Sequence, residues 1–83
     1  MTGMMISYDN DAKAMYIALK AETKVSRTVE FSSDTFLDIA KNGELIGVEM
    51  LKPNHSELRR IAKKYHHPEL SRIQPEKFLK AVA

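Results

Sequence analysis

Two carboxylates, Asp38 and Glu49, stand inside otherwise apolar runs of the segment TFLDIAKNGELIGVEML, from Thr35 to Leu51. A charged group at a half-buried strand position costs free energy unless it is paired or performs a task. The segment reads as two strands joined at Asn42-Gly43, a dipeptide suited to a type I′ turn because both central residues then need positive φ. Cross-strand partners sum to eighty-five in that register: Ala40 faces Leu45, Asp38 faces Gly47 and Phe36 faces Glu49. The acids become diagonal neighbours roughly 7–8 Å apart at the backbone. Gly47 lacks a side chain, so a small hollow is expected between them. Two carboxylates beside a hollow can share a proton, bind a cation or grip a basic side chain. The plainer expectation is a structural or interface ion pair, with Arg27, Arg59 and Arg60 as the cations.

Other constellations carry less. Leu58, Ile61, Ala62 and Tyr65 fall at helical spacing, which leaves Arg59, Arg60, Lys63, Lys64, His66 and His67 on the opposite arc. Those four Arg and Lys residues make a basic surface able to neutralise phosphates, the basis of a nucleic-acid reading. Any amphipathic surface helix shows a similar arc. His55, His66 and His67 include no pair at i, i+4, so no helix-borne metal motif and no metal site are expected. Gly3, Gly43 and Gly47 are isolated, which gives no phosphate cradle. With no cysteine, disulfides, thiolate zinc sites and cysteine nucleophiles are excluded. No cofactor is expected.

The elements that must position these residues fit one domain over the 83 residues. At this size a hydrophobic core alone gives modest stability, and without a disulfide staple self-association is the expected help. Residues 1–51 read as strand-rich. Strand patterns cover Met4–Tyr8, Ala14–Leu19, Val25–Phe31, Thr35–Ala40 and Leu45–Leu51, although residues 11–19 also contain good helix formers. Connections this short favour a meander of antiparallel neighbours. Residues 52–83 read as a helical tail. Asn54 and Glu57 resemble a capping box, Pro68 ends the helix, and a second short helix begins near Pro75 and buries Phe78, Leu79 and Val82. The fold class is therefore α+β, about five short, mostly antiparallel strands with one or two C-terminal helices packed on them. In the assumed register Leu37, Ile39, Ile46, Val48 and Met50 share one face. The opposite face, carrying Phe36, Asp38, Ala40, Leu45, Gly47, Glu49 and Leu51, is apolar enough to require a cover from the helices or another subunit.

Charge is uneven. Net charge is +2, yet Met1 to Leu51 holds five cations against eight carboxylates, and Lys52 to Ala83 holds eight against three. The halves, −3 and +5, can attract each other within a monomer or across a dimer. No apolar run approaches the ~20 residues that span a bilayer. MTGMMISYDND lacks the basic and apolar regions of a signal peptide, so a cytoplasmic location is expected.

The residues from Tyr8 to Leu19, YDNDAKAMYIAL, and from Asp38 to Leu51, DIAKNGELIGVEML, resemble the two motifs of the bacterial family called domain of unknown function 2283. Those motifs look like YD…ADALYI.L and D.d.dG.ivGiEil. The likeness covers about the first fifty residues and leaves the helical tail outside. One departure is Lys13, where the family usually carries Asp; a role needing a third carboxylate there is weakened. The resemblance implies a small bacterial or archaeal protein with no assigned activity, and it supplies no catalytic residues. Some relatives are encoded beside small toxin-like proteins, which implies a partner-binding role.

Together these readings make the chain a small interaction module, expected as a homodimer, with a toxin-like protein as one possible kind of partner. Asp38, Gly47, Glu49, Tyr8 and Tyr16 are the ligand or interface candidates. Two alternatives stand beside it: nucleic-acid binding through the basic helix, and cation binding or acid/base catalysis by Asp38 and Glu49.

Overall fold

The computed structural model describes residues 4–77. Five strands come first: β1 (Met5–Asp9), β2 (Ala14–Ala18), β3 (Arg27–Ser32), β4 (Thr35–Ile39) and β5 (Leu45–Met50). A helix, α1 (His55–Tyr65), and a 3-10 turn (Pro68–Arg72) follow, so the class is α+β. The chain divides into two compact units, Met1–Lys52 and Pro53–Ala83, at the point where the composition shifts.

Every strand pair is antiparallel, but the sheet is not a sequential meander. Its order is β1-β2-β5-β4-β3, with β5 inserted between β2 and β4. The connection from Leu19 to Ser26 therefore carries the chain past two strands to the far edge. Three strand spacings are roughly 14 Å, which eight extended residues span easily. This crossing puts Tyr16 beside Glu49, a pairing that connection length alone does not suggest.

One face of the sheet supplies the core of this unit. Ile17, Val48 and Leu37 lie in one cross-strand row, with Met15 and Met50 in the next. All five are at most 1% exposed, and each such burial is worth about 1.5–3 kcal/mol. Central β5 is buried throughout except at Glu49.

The β4–β5 turn differs from the expected type I′. Among the described residues, only Lys13, His66 and Gly43 have positive φ; Asn42 does not, and Gly43 sits at φ 90°. The Gly43 N–H donates to Ala40 O and the Ala40 N–H donates to Glu44 O, both at 2.9 Å. This is a three-residue loop with a left-handed glycine at its end. It shifts the pairing by one residue, and a β-bulge then shifts it back: Ile39 pairs with Leu45, while Asp38 still pairs with Gly47. Leu45 consequently shares the face of Ile39 and joins the core at 1% exposure, instead of lying beside the acids.

In the second unit Asn54 caps α1, its Oδ1 accepting from the Glu57 N–H at 2.8 Å. Leu58, Ile61 and Ala62 are buried, whereas Arg59, Arg60, Lys63 and Lys64 are exposed. The helix stops before Pro68: His66 turns left-handed at φ 59°, and the His66 and His67 N–H groups both donate to Ala62 O. Pro68 then opens the 3-10 turn, which buries Leu70. Residues 75–77 are helical, where the second short helix is expected to begin. Phe78, Leu79 and Val82, assigned above to its buried side, lie outside the described residues. Among the described residues, no helix is long and apolar enough to cross a membrane.

Candidate functional site

Asp38 and Glu49 do project from the same face of the sheet, opposite the row of Ile17, Val48 and Leu37. Two rows of direct cross-strand partners define that face. One runs Met5, Ala18, Gly47, Asp38, Thr28; the other runs Ser7, Tyr16, Glu49, Phe36, Glu30. The two rows hold three carboxylates and no lysine or arginine.

The hollow expected at Gly47 is filled. The Tyr16 ring lies across Gly47 and its hydroxyl donates to Asp38 Oδ2 at 2.7 Å, so one phenol spans from β2 over β5 to β4. A Cβ added to Gly47 would lie 2.6 Å from Tyr16 Cζ and closer still to the hydroxyl oxygen. Glycine is thus required for the bridge because any side chain would occupy the path of the ring. The second Asp38 oxygen accepts from the Thr28 hydroxyl, also at 2.7 Å. Two hydroxyls hold Asp38, where an arginine was expected. Arg27, the one of the three candidates that lies in the sheet, pairs with Ile39 on the opposite face.

Burial pushes the Tyr16 phenol well above its ordinary pKa, helped by the hydrogen bond to Asp38 and by the charges of Asp38 and Glu49. The phenol therefore stays protonated and serves as a fixed donor. Glu49 is exposed, although its two cross-strand partners, Tyr16 and Phe36, are half-buried. Direct partners have Cβ atoms about 4.5–5.5 Å apart, so this carboxylate stands between two aromatic side chains. The surrounding surface is partly apolar: Met5 is 64% exposed and Leu51 is 40% exposed.

Of the candidates read from sequence, Tyr16, Asp38, Gly47 and Glu49 are brought together. Tyr8 is not, because it pairs with Met15 on the core face. Thr28 was missed; a plain hairpin count from the Ser33-Asp34 turn would put Val29 opposite Asp38, and a bulge between Glu30 and Ser32 changes that partner. Among the described residues, no three His, Asp or Glu side chains gather to hold a metal.

Lys13 closes the β1–β2 turn in a left-handed conformation at φ 55°. Asp9 Oδ1 braces the same turn by accepting from the Asp11 and Ala12 N–H groups at 3.0 and 3.2 Å. Asp and Asn tolerate the left-handed region better than Lys does, so Lys13 holds this turn at a conformational cost.

No curated protein and no solved structure gives a significant match to the chain. The model of one family, described as "Protein of unknown function (DUF2283)", matches residues 5–52, more than half of the sequence and all five strands. The chain belongs to that family.

Proposed function

We propose that the strand-rich unit is a protein-interaction module whose acidic, aromatic face takes a basic side chain from a protein partner. The observation that carries this reading is the setting of Glu49. It is an exposed carboxylate between Tyr16 and Phe36, on two rows of residues that hold no cation. Such a setting offers a guanidinium or ammonium group a charge to pair with and ring faces to lie against.

The neighbouring groups suit a fixed surface better than proton transfer. Both Asp38 oxygens already accept hydroxyl protons, and Tyr16 is held in its protonated form. The bond to Asp38 holds the Tyr16 ring in place before a partner arrives, which lowers the ordering cost of binding.

The test is an amide-shift titration of the isotopically labelled protein with a capped peptide of alternating arginine and leucine, and with a glutamine-for-arginine version as control. The arginine peptide is expected to shift Tyr16, Phe36, Asp38, Gly47 and Glu49, and Glu49→Lys is expected to abolish the response. Shifts located elsewhere, or undiminished in Glu49→Lys, would refute the reading.

A further inference from the structure

We propose that the depression between α1 and the 3-10 turn is a binding site for a small phosphate-bearing molecule of about nucleotide size. It lies wholly within the second unit and outside the residues matched by the family model. Its volume is about 520 Å³, and it is lined by Arg59, Ala62, Lys63, His66, Pro68 and Ser71. The depression is largely open to solvent, so a ligand there would lie against its lining and not be enclosed by it.

Three features converge on this concavity. Arg59 and Lys63, four residues apart, project from the same side of α1. His66, turned left-handed as the helix ends, places an imidazole on the same rim. Between these groups Ala62 and Pro68 supply an apolar contact surface. A guanidinium fork and an ammonium group suit phosphate oxygens, and the apolar patch suits the non-phosphate part of the ligand.

Competing uses of these cations are limited. None of the salt bridges among the described residues includes Arg59, Lys63 or His66. The nearby Glu69 carboxylate is bonded to His67 Nδ1 at 3.2 Å. Lys63 and Lys64 also offset the negative end of the helix dipole, but that effect is confined to the last turn and gives no reason for Arg59 or for the apolar patch.

The experiment is an amide-shift titration of the full chain with adenosine monophosphate, adenosine and orthophosphate in parallel. Adenosine monophosphate is expected to give saturable shifts at Ala62, Lys63, His66 and Ser71. Adenosine should give none, and orthophosphate should bind more weakly. Arg59→Gln and Lys63→Gln should each weaken binding roughly two- to five-fold, as expected for exposed charge pairs. Lys64→Gln, on the same helix but outside the lining, should leave binding unchanged. Glutamine preserves helix propensity, and far-ultraviolet circular dichroism verifies that each variant is folded. The proposal is overturned if adenosine monophosphate gives no saturable shift, or if binding is indifferent to Arg59→Gln and Lys63→Gln. It is equally overturned if orthophosphate binds as tightly, or if a single-stranded oligonucleotide binds through these residues when the mononucleotide does not.

Discussion

Replacing Gly47 with alanine should change sign in its effect on stability according to what occupies position 16. In the wild-type chain the new Cβ displaces the Tyr16 ring, because the three atoms nearest its position all belong to Tyr16. The phenol then loses its bond to the Asp38 carboxylate, a type of interaction worth about 1.5–3 kcal/mol. Alanine returns about 0.5–1 kcal/mol by restricting the unfolded chain. The net cost of Gly47→Ala is therefore about 1–2 kcal/mol, a fall in melting temperature of roughly 5–15 °C for a chain of this size.

Tyr16→Ala removes the obstructing ring. Gly47→Ala made in that background has no phenol to displace, so only the favourable backbone contribution remains and the variant gains about 0.5–1 kcal/mol. Urea denaturation of the four proteins, followed by far-ultraviolet circular dichroism, closes the double-mutant cycle. A Gly47→Ala cost of equal size in both backgrounds would refute the reasoning, since it would show that Gly47 serves something other than the path of Tyr16.

Three further outcomes are expected. The raised Tyr16 pKa means that the folded chain keeps this proton after an unfolded chain has lost it. Its stabilisation is complete below pH about 10 and declines as pH rises toward the folded-state value, so wild type should lose stability more steeply there than Tyr16→Phe. Tyrosinate absorbance, compared between the two proteins, should show Tyr16 as a late-ionising group. Lys13→Asn should stabilise the protein by about 0.5–1 kcal/mol by easing the left-handed turn, and a lowered urea midpoint would contradict that account. Asn54→Ala should cost about 0.5–2 kcal/mol through loss of the bond to the Glu57 N–H, while Asn54→Ser should retain most of the stability.

The elements were legible where local chemistry decides them. Alternation located all five strands to within two residues, and the Asn54 to Glu57 spacing marked the start of α1. The neighbours of β2 were not legible. Nothing local in AMYIA indicates pairing with β5 rather than with the next strand in sequence, because that choice depends on the packing of the whole sheet. The role of Tyr16 was hidden for the same reason. Its partner Asp38 lies two strands away, and the absence of a side chain at Gly47 signals room without saying what fills it.

The hairpin shows why a correct pairing can rest on an incorrect turn. Counting from a two-residue Asn42-Gly43 turn gave the right partners for Phe36 and Asp38, although the loop has three residues and Asn42 lacks positive φ. The three-residue loop alone would have moved every later pair by one position. That slip would send Asp38 and Glu49 to opposite faces, since paired residues share a face and neighbours along a strand alternate. The bulge between Asp38 and Ile39 restores the register, and it brings Leu45 and Ile46 together on the core side. Burying both of these side chains opposes a straight ladder, because strict alternation would expose one of them. The apolar Leu45-Ile46 pair is therefore the feature of the sequence that favours the bulge. The common face of Asp38 and Glu49 depends on that pair as much as on the acids themselves.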